Sequence, residues 1–404
     1  MIFELMAPCH FGLEACTKHE ITELGCPVTE VTDGRVCFTG TPLDICRANI
    51  NLRTTERVLL KAADFEAYSW EELFEKTRAV NWEDYLPWDA NFYVAKASSV
   101  KSRLFSPRDF QTIIQKAIIK RLQSACHREG EHLPMSGEDY LLRVFALKDR
   151  IVIGIDTSGE SLHRRGYRKM TAKAPITETL AAALLMLTPW RKDRILVDPF
   201  CGSGTFCIEA AMMAAEIAPG MRRDFASTGW MNLIPKSDWY RAYDEAFDRA
   251  EAVDRKALKE RLDIQGYDID ADVLAAARAN AENAGVADLI HFQRRDVAML
   301  SHPKKYGFLV TNPPYGERLE DRENLPALYR TIGEQYNRLD SWSMYLITAY
   351  QEAEKYIGRK ADRNRKVYNG MMKTYFLSYQ GAKPGKENTG IMRKEQGTPG
   401  TEVL

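Results

Sequence analysis

Apolar positions recur along this chain with two periods, and the way the two alternate changes near residue 160. Before that point, short helical and strand patterns interleave. "GLEACTKHEITEL" (12–24) places Leu13, Cys16, Ile21 and Leu24 on one helical stripe. "VTEVTDGRVCF" (28–38) is a hairpin with Asp33-Gly34 at its turn. "SWEELFEKTRAV" (69–80) opens with a capping box, Ser69 to Glu72. "NFYVAKAS" (91–98) predicts a strand, and "SPRDFQTIIQKAIIKRL" (106–122) a helix with Ser106 at the N-cap and Pro107 at its first position. "DYLLRVFALKDRIVIGIDTSG" (139–159) is a second hairpin, turning near Asp149-Arg150. This is an α+β region without a catalytic constellation.

Beyond residue 160, "ITETLAAALLML" (176–187) predicts a helix, too short and apolar for anything but a buried one. Four apolar runs follow: "RILVD" (194–198), "LDIQGYD" (262–268), "DLIHFQRRD" (288–296) and "YGFLVT" (306–311), the first three ending on aspartate. Helical stretches lie between and after them. That alternation predicts an α/β domain, a parallel sheet with crossover helices. The first interval is long and contains a charge-rich helix over 238–260, which reads as an insertion spanning about 218–260. The polar, Gly- and Pro-rich stretch 381–404 is expected to be disordered.

Bulk composition narrows the class. A chain of 404 residues with 45% hydrophobic positions can build two or three cores. Lysine plus arginine and aspartate plus glutamate both number 56, which argues against non-specific coating of nucleic acid but allows a basic face balanced elsewhere. Cys9, Cys16, Cys26, Cys37, Cys46, Cys126, Cys201 and Cys207 form no C-x-x-C pair, and the N-terminus has no leader pattern. The expectation is a cytoplasmic protein with free thiols, no membrane span and no metal site, since the histidines lack ligand spacing.

The candidate chemistry lies at strand ends. "DPFCGSGTFCIEAA" (198–211) follows the first strand and opens a helix; Gly202 and Gly204 permit a tight turn that aims the helix N-terminus at a ligand. Asp268 ends the second strand, where a carboxylate can take both hydroxyls of a ribose, and Asp296 follows the third, where it can face an adenine amine. The fourth strand runs into "TNPPYGERL" (311–319). There the Asn312 oxygen and the Pro313 carbonyl offer acceptors for an NH2 group, and Tyr315 offers a face for a base to stack on. Taken singly, each aspartate reads as a turn or cap residue. The four features in this order read as a site for an adenosine carrying a sulfonium. The pattern is not G-x-G-x-x-G, so NAD is disfavoured, and no G-K-[ST] follows the glycines, so a P-loop is excluded.

At this point the sequence resembles class I S-adenosylmethionine-dependent methyltransferases of the amino-group type, with [DNS]-P-P-[YFW]. "GESLHRRGYRKMTAKAPITETLAAALLML", "DPFCGSGTFCIEAAMMA", "GYDIDADVLAAARANAENAGV" and "TNPPYGERL" are similar to the RlmL/YpsC family, which methylates guanine N2 in 23S ribosomal RNA. "FGLEACTKHEITELG" and "RTTERVLLKAADFEAYSWEELFEKTRAVNW" resemble its N-terminal half. The resemblance implies a ferredoxin-like region (1–65), a THUMP RNA-binding domain (66–158, its first elements beginning near 44) and a Rossmann-like methyltransferase domain with a seven-stranded, mainly parallel sheet (159–380). The best-known RlmL enzymes carry a second, C-terminal methyltransferase that is not in this sequence, so only the N2 activity is implied.

The implied mechanism is direct displacement. Asn312 and Pro313 accept the two N–H bonds of the guanine amine, Pro313 and Pro314 stiffen the turn, and Tyr315 stacks on the flipped base. The motif Asp198-Pro199 leads into Gly202, Ser203, Gly204 and Thr205 around the methionine moiety of S-adenosyl-L-methionine, with Asp268 on the ribose and Asp296 on the adenine. Candidate RNA contacts are Arg164, Arg165, Tyr167 and Arg168 in "HRRGYRK" and Lys101 and Arg103 in "KSRLFSPR". The expected partner is structured RNA, 23S rRNA or a large-subunit precursor. Rival readings are a tRNA guanine-N2 enzyme of the same THUMP group, a DNA adenine-N6 methyltransferase, whose amine the NPPY turn serves equally well, and a non-catalytic RNA-binding protein.

Overall fold

The computed structural model describes residues 1–168, 176–316 and 323–384. Two seven-stranded sheets organise these residues. The first contains β1 (Phe3–Pro8), β2 (Val28–Thr32), β3 (Arg35–Gly40), β4 (Leu59–Glu66), β5 (Asn91–Val100), β6 (Asp139–Leu147) and β7 (Arg150–Asp156), in the order β2-β3-β1-β4-β7-β6-β5. Its helices are α1 (Glu14–Glu23), α2 (Pro42–Asn51), α3 (Trp70–Arg78) and α4 (Pro107–Ala125). β4 pairs with β1 on one side and β7 on the other, so one sheet runs through the whole N-terminal half.

Local signals acted largely where the sequence places them. Leu13, Cys16 and Ile21 are buried on the α1 stripe. Ser69 accepts from the Glu72 N–H at 3.1 Å, but the Glu72 carboxylate reaches back to the N–H of Tyr68 rather than that of Ser69. The complete capping box is at α2 instead, between Thr41 and Asp44. The β6–β7 turn sits one residue earlier than its pattern predicts: Lys148 and Asp149 both take positive φ, 51° and 68°, as a two-residue hairpin turn requires.

The second sheet contains β8 (Leu196–Asp198), β9 (Ile264–Asp268), β10 (Ile290–Arg294), β11 (Phe308–Thr311), β12 (Ser343–Thr348), β13 (Arg363–Asn369) and β14 (Met372–Tyr379). Its order is β10-β9-β8-β11-β12-β14-β13, with only β14 antiparallel to its neighbours. Helices α5 (Glu178–Leu187), α6 (Thr205–Ala214) and α9 (Ala271–Ala284) cover one face. The helices Leu325–Arg338 and Ala353–Ile357 cover the other. The chain winds outward from β8 through β9 to β10, then crosses to β11 on the opposite side. The carboxyl ends of β8 and β11 therefore flank a topological switch point, where open α/β sheets bind ligands.

The long interval between β8 and β9 behaves differently from a free-standing insertion. The helix expected over 238–260 is two helices, α7 (Lys236–Glu251) and α8 (Arg255–Arg261), because Asp254 caps the second by accepting from the Ala257 N–H at 3.0 Å. More importantly, residues from Ala218 to Ala246 join the core of the N-terminal half. Trp230 stacks on Tyr140 at 4.4 Å, Trp239 stacks on Phe225, and Arg47 of α2 makes two 2.7 Å bonds to Glu245 of α7. The segment is a clasp that holds the N-terminal half against the second sheet. Of the stretch expected to be disordered, residues 385–404 lie outside the described residues.

Among the described residues no helix is long and apolar enough to cross a membrane, and no group of three metal-ligating side chains converges. All eight cysteines are unpaired.

Candidate active site

The glycine turn after β8 and the NPPY turn after β11 are neighbours because Phe308 and Leu309 of β11 pair with Leu196 and Val197 of β8. Gly204 caps α6 at φ 86°, and a Cβ there would lie 3.0 Å from the Phe292 ring and 3.2 Å from Ala277 Cβ. The position therefore demands glycine on conformation and on space alike. Gly202, at φ 52°, has nothing within 4 Å of where its Cβ would be, so the turn opens on free space at that point.

Asp268 sits beside that opening. One carboxylate oxygen accepts from the Gly202 N–H at 3.1 Å and the other from the Asp270 N–H at 3.0 Å. A carboxylate has about four lone-pair sites, so each oxygen keeps acceptor capacity, as a vicinal diol requires. Asp296, exposed, caps the short turn after β10 through the Ala298 N–H at 2.8 Å and likewise keeps a free oxygen.

Asp198 has another job. It is 1% exposed, so it faces no open ligand space; it accepts from the Thr311 hydroxyl at 2.6 Å and the Phe200 N–H at 3.1 Å. Burial pushes its carboxyl up to about 7, against the pull of those two bonds, and nearby Asp268 adds to the rise. Its bond to Thr311 ties the glycine-turn strand to the residue that precedes Asn312. Ser203 and Thr205 are also buried; Asn280 donates to the Ser203 carbonyl at 3.3 Å, and Arg168 donates to Thr205 Oγ1 at 2.6 Å. These two residues brace the turn from behind.

At the other turn, Asn312 Oδ1 is shielded from solvent and accepts no hydrogen bond from the described residues. A buried acceptor without a donor is costly, by about 1–3 kcal/mol, and a ligand donor at this position would remove that cost. Tyr329, which the sequence did not single out, bonds through its hydroxyl to the Pro314 carbonyl at 3.2 Å and to Thr348 Oγ1 at 2.5 Å. With the Pro314 carbonyl so engaged, the Pro313 carbonyl is left as the second acceptor candidate of the turn. Asn369, at the end of β13, donates to the Tyr315 hydroxyl at 3.2 Å and so fixes that ring from a strand far away in sequence.

The basic stretch before α5 corrects the sequence expectation. Arg165 and Tyr167 are 2% and 1% exposed, too deeply buried to meet RNA. Arg165 donates to the Leu162 and Arg53 carbonyls at 2.7 and 2.5 Å and pairs with Glu209 of α6 at 3.4 Å; Tyr167 donates to the same carboxylate at 3.2 Å. Arg168, largely covered, pairs with Glu178 at 3.1 Å as well as supporting Thr205. A cationic run that looks like a solvated face is turned inward at these three, and Arg165 braces the two halves through its bonds to Arg53 and Glu209. Arg164 is exposed and, among the described residues, pairs only with Glu160 at 3.0 Å. Lys101 and Arg103 are exposed too, the latter with its guanidinium 4.8 Å from the Tyr68 ring.

Residues 165–377 match the model of an RMKL-like methyltransferase domain. The chain belongs to the RMKL-like methyltransferase family. Residues 4–59 of this methyltransferase match an RlmL ferredoxin-like domain and residues 67–156 a THUMP domain. A Bacillus subtilis protein described as a putative RNA methyltransferase, YpsC, is 40% identical over 96% of the chain and 98% of its own length. The ribosomal RNA large subunit methyltransferase K/L of Cellvibrio japonicus is 33% identical over 94% of the chain, which spans 51% of that longer protein. A solved putative methyltransferase, SMU.472, complexed with SAH, superposes with a TM-score of 0.87 at 39% identity, over 95% of this chain and 99% of that one.

The cofactor of this methyltransferase is S-adenosyl-L-methionine. The residues present fit it: an open glycine turn at a helix N-terminus, and a carboxylate at the second strand end with acceptors to spare. Asp268→Ala is expected to weaken cofactor binding by about 2–3 kcal/mol, ~30–150-fold in Kd, because a diol loses charge-assisted acceptors and Gly202 loses its anchor. Calorimetry with the cofactor alone measures this; an unchanged Kd would reduce Asp268 to a turn residue.

Proposed function

We propose that this methyltransferase transfers a methyl group to N2 of guanine in structured RNA, with large-subunit 23S rRNA as the substrate. The observation that carries the amine part of this reading is the buried, unpartnered Asn312 oxygen at the switch point. The RNA part rests on the THUMP match and on what the two relatives are described as doing.

In this reading, residues 1–65 and 66–158 capture RNA, 159–380 carry out transfer, and 381–404 form a tail. Asn312 Oδ1 and the Pro313 carbonyl accept the two N–H bonds of the amine. Its lone pair, otherwise delocalised into the ring, then points along the transfer axis, and the charge building on nitrogen meets fixed dipoles. Pro314, held by Tyr329, keeps the turn rigid, and Tyr315, held by Asn369, stacks on the base once it leaves its helix. Bound S-adenosyl-L-methionine supplies a methyl group on a sulfonium, a good leaving group. The glycine turn and Asp268 set its position relative to the amine, so much of the barrier is met by alignment. Asp296 takes the adenine amine.

For capture, Arg103 with Tyr68, the 76%-exposed Phe105 and Lys101 offer cations and rings on the THUMP side, and Arg164 lies on the linker. The β13–β14 hairpin adds Lys366 over Tyr368 and Lys373 over Tyr375 beside the NPPY turn, a pairing of ammonium groups and rings suited to phosphates and bases. Methylated nucleosides mapped by mass spectrometry in rRNA, tRNA and DNA, from cells with and without the gene, test the reading. Loss of N2-methylguanosine from 23S rRNA is expected. Loss confined to tRNA, or loss of N6-methyladenine from DNA, would overturn it.

A further inference from the structure

The cavity beside the NPPY turn contains a charge that methyl transfer itself does not use. The space measures about 650 Å³, within the range of small-ligand pockets, and its walls include Tyr315, Leu325, Tyr350, Gln351, Glu352 and Met372. Two of its rings are held in place. Tyr315 is fixed by Asn369, while Tyr350 packs on Tyr329 at 5.1 Å and lies parallel to Tyr356 at 6.0 Å. Both rings therefore line one space that reaches the NPPY turn at Tyr315, as a slot for an extruded base requires.

Glu352 is the one charged side chain among the described residues that line this cavity. Lys355 donates to one of its oxygens at 2.6 Å, and the Tyr350 hydroxyl approaches the other at 3.4 Å. Those two contacts leave lone pairs on both oxygens. The ammonium of Lys355 also holds the carboxyl below its ordinary range, so at neutral pH the group is ionised and can only accept.

We propose that Glu352 is a specificity-determining residue: its carboxylate accepts the N1–H of guanine while the adjacent N2 amine lies against Asn312. The inference rests on the guanine-N2 reading. Guanine presents N1–H next to its exocyclic amine. Adenine presents a bare N1 lone pair next to its own, and a lone pair set against a carboxylate is both unpaired and repelled. The NPPY turn accepts either amine, so the choice between bases falls to whatever meets N1. Gln351 cannot make that choice, because an amide offers donor and acceptor alike. Glu352 can, because an ionised carboxylate offers acceptors alone.

The test uses the full-length protein and an RNA fragment spanning the guanosine that nucleoside mapping identifies, made with guanine or with 2-aminopurine at that position. 2-Aminopurine keeps the amine at C2 and lacks the N1–H. Wild-type protein is expected to prefer guanine by ~10²-fold or more in kcat/KM, since a site built around a hydrogen bond rejects the analogue that lacks it. In Glu352→Gln, whose amide can donate to N1, the preference should narrow to less than ~10-fold, and in Glu352→Ala the guanine rate should fall ~10–100-fold. S-adenosyl-L-methionine affinity should stay at the wild-type value in both variants, which also confirms that they are folded. An undiminished guanine preference in both variants, with wild-type protein active on guanine, would overturn the role of Glu352. Wild-type protein that leaves the guanine amine unmethylated would instead bring down the guanine-N2 reading on which it rests.

Discussion

Asn312→Ala lowers kcat for RNA methylation by ~10²–10³-fold and leaves the Kd of S-adenosyl-L-methionine nearly unchanged: that is the expected result if this side chain is the amine acceptor. Its oxygen is buried, accepts nothing from the described residues, and lies at the end of β11 next to the glycine turn. An interaction made mainly as charge builds on nitrogen is lost from the transition state far more than from the bound substrate, so kcat and kcat/KM should fall together. Removing the amide also relieves a desolvated acceptor in the free protein, so stability should hold or rise slightly. Single-turnover rates with excess enzyme, compared with cofactor calorimetry, separate the effects. A rate loss of less than about fivefold would be incompatible with the acceptor role.

Arg165→Ala should be strongly destabilising, by about 3–5 kcal/mol. The guanidinium is enclosed between the halves, paired with Glu209 of α6 and bonded to the carbonyls of Leu162 and Arg53. Among the described residues, its loss leaves the buried Glu209 carboxylate with only Tyr167 to donate to it and Arg53 as a remaining cation, and the other Glu209 oxygen already has no partner. The penalty comes from the stranded charge more than from the lost pair. The double variant Arg165→Met with Glu209→Leu, which removes both charges and keeps the volume, should therefore recover much of the loss. Urea midpoints of wild type, both single variants and the double variant check this. Additive losses would show that the pair is not coupled.

Much of the site could be read in advance because its parts are local. A glycine turn between a strand and a helix, an aspartate at a strand end, and an asparagine before two prolines each arise within a few consecutive residues. The backbone constraints of Gly204 and of the Pro-Pro turn act at that same range. Residues that complete the site from afar left no such signal. Tyr329 bonds to the Pro314 carbonyl from a later helix, and Asn369 reaches Tyr315 across 54 positions. Neither stands in a local motif. Asp198 opens the motif and so counts in the sequence as a cofactor contact, yet it is turned inward to Thr311, a contact between strands 113 residues apart.

The basic run before α5 shows the limit in the other direction. Arg164 and Arg165 are adjacent and chemically identical; one is exposed and the other is enclosed. Composition cannot separate them. What separates them is which way the backbone turns as it enters the interface, and whether a carboxylate waits there.

From residue pattern alone follow several helices and hairpins of the first half, the first four strands of the second sheet with its α/β character, the glycine turn and the acceptor-rich NPPY turn, because periodicity and backbone restriction act over short stretches. Only tertiary structure decides that one sheet continues through the whole N-terminal half, that Ala218–Ala246 leaves the second domain to complete the core of the first, and that Arg165 and Tyr167 are enclosed rather than turned outward. Burial is a property of the assembled chain. Trp230 or Ile234 carries the same apolar surface wherever it goes, and which core it fills depends on where complementary surface remains uncovered once the rest has folded.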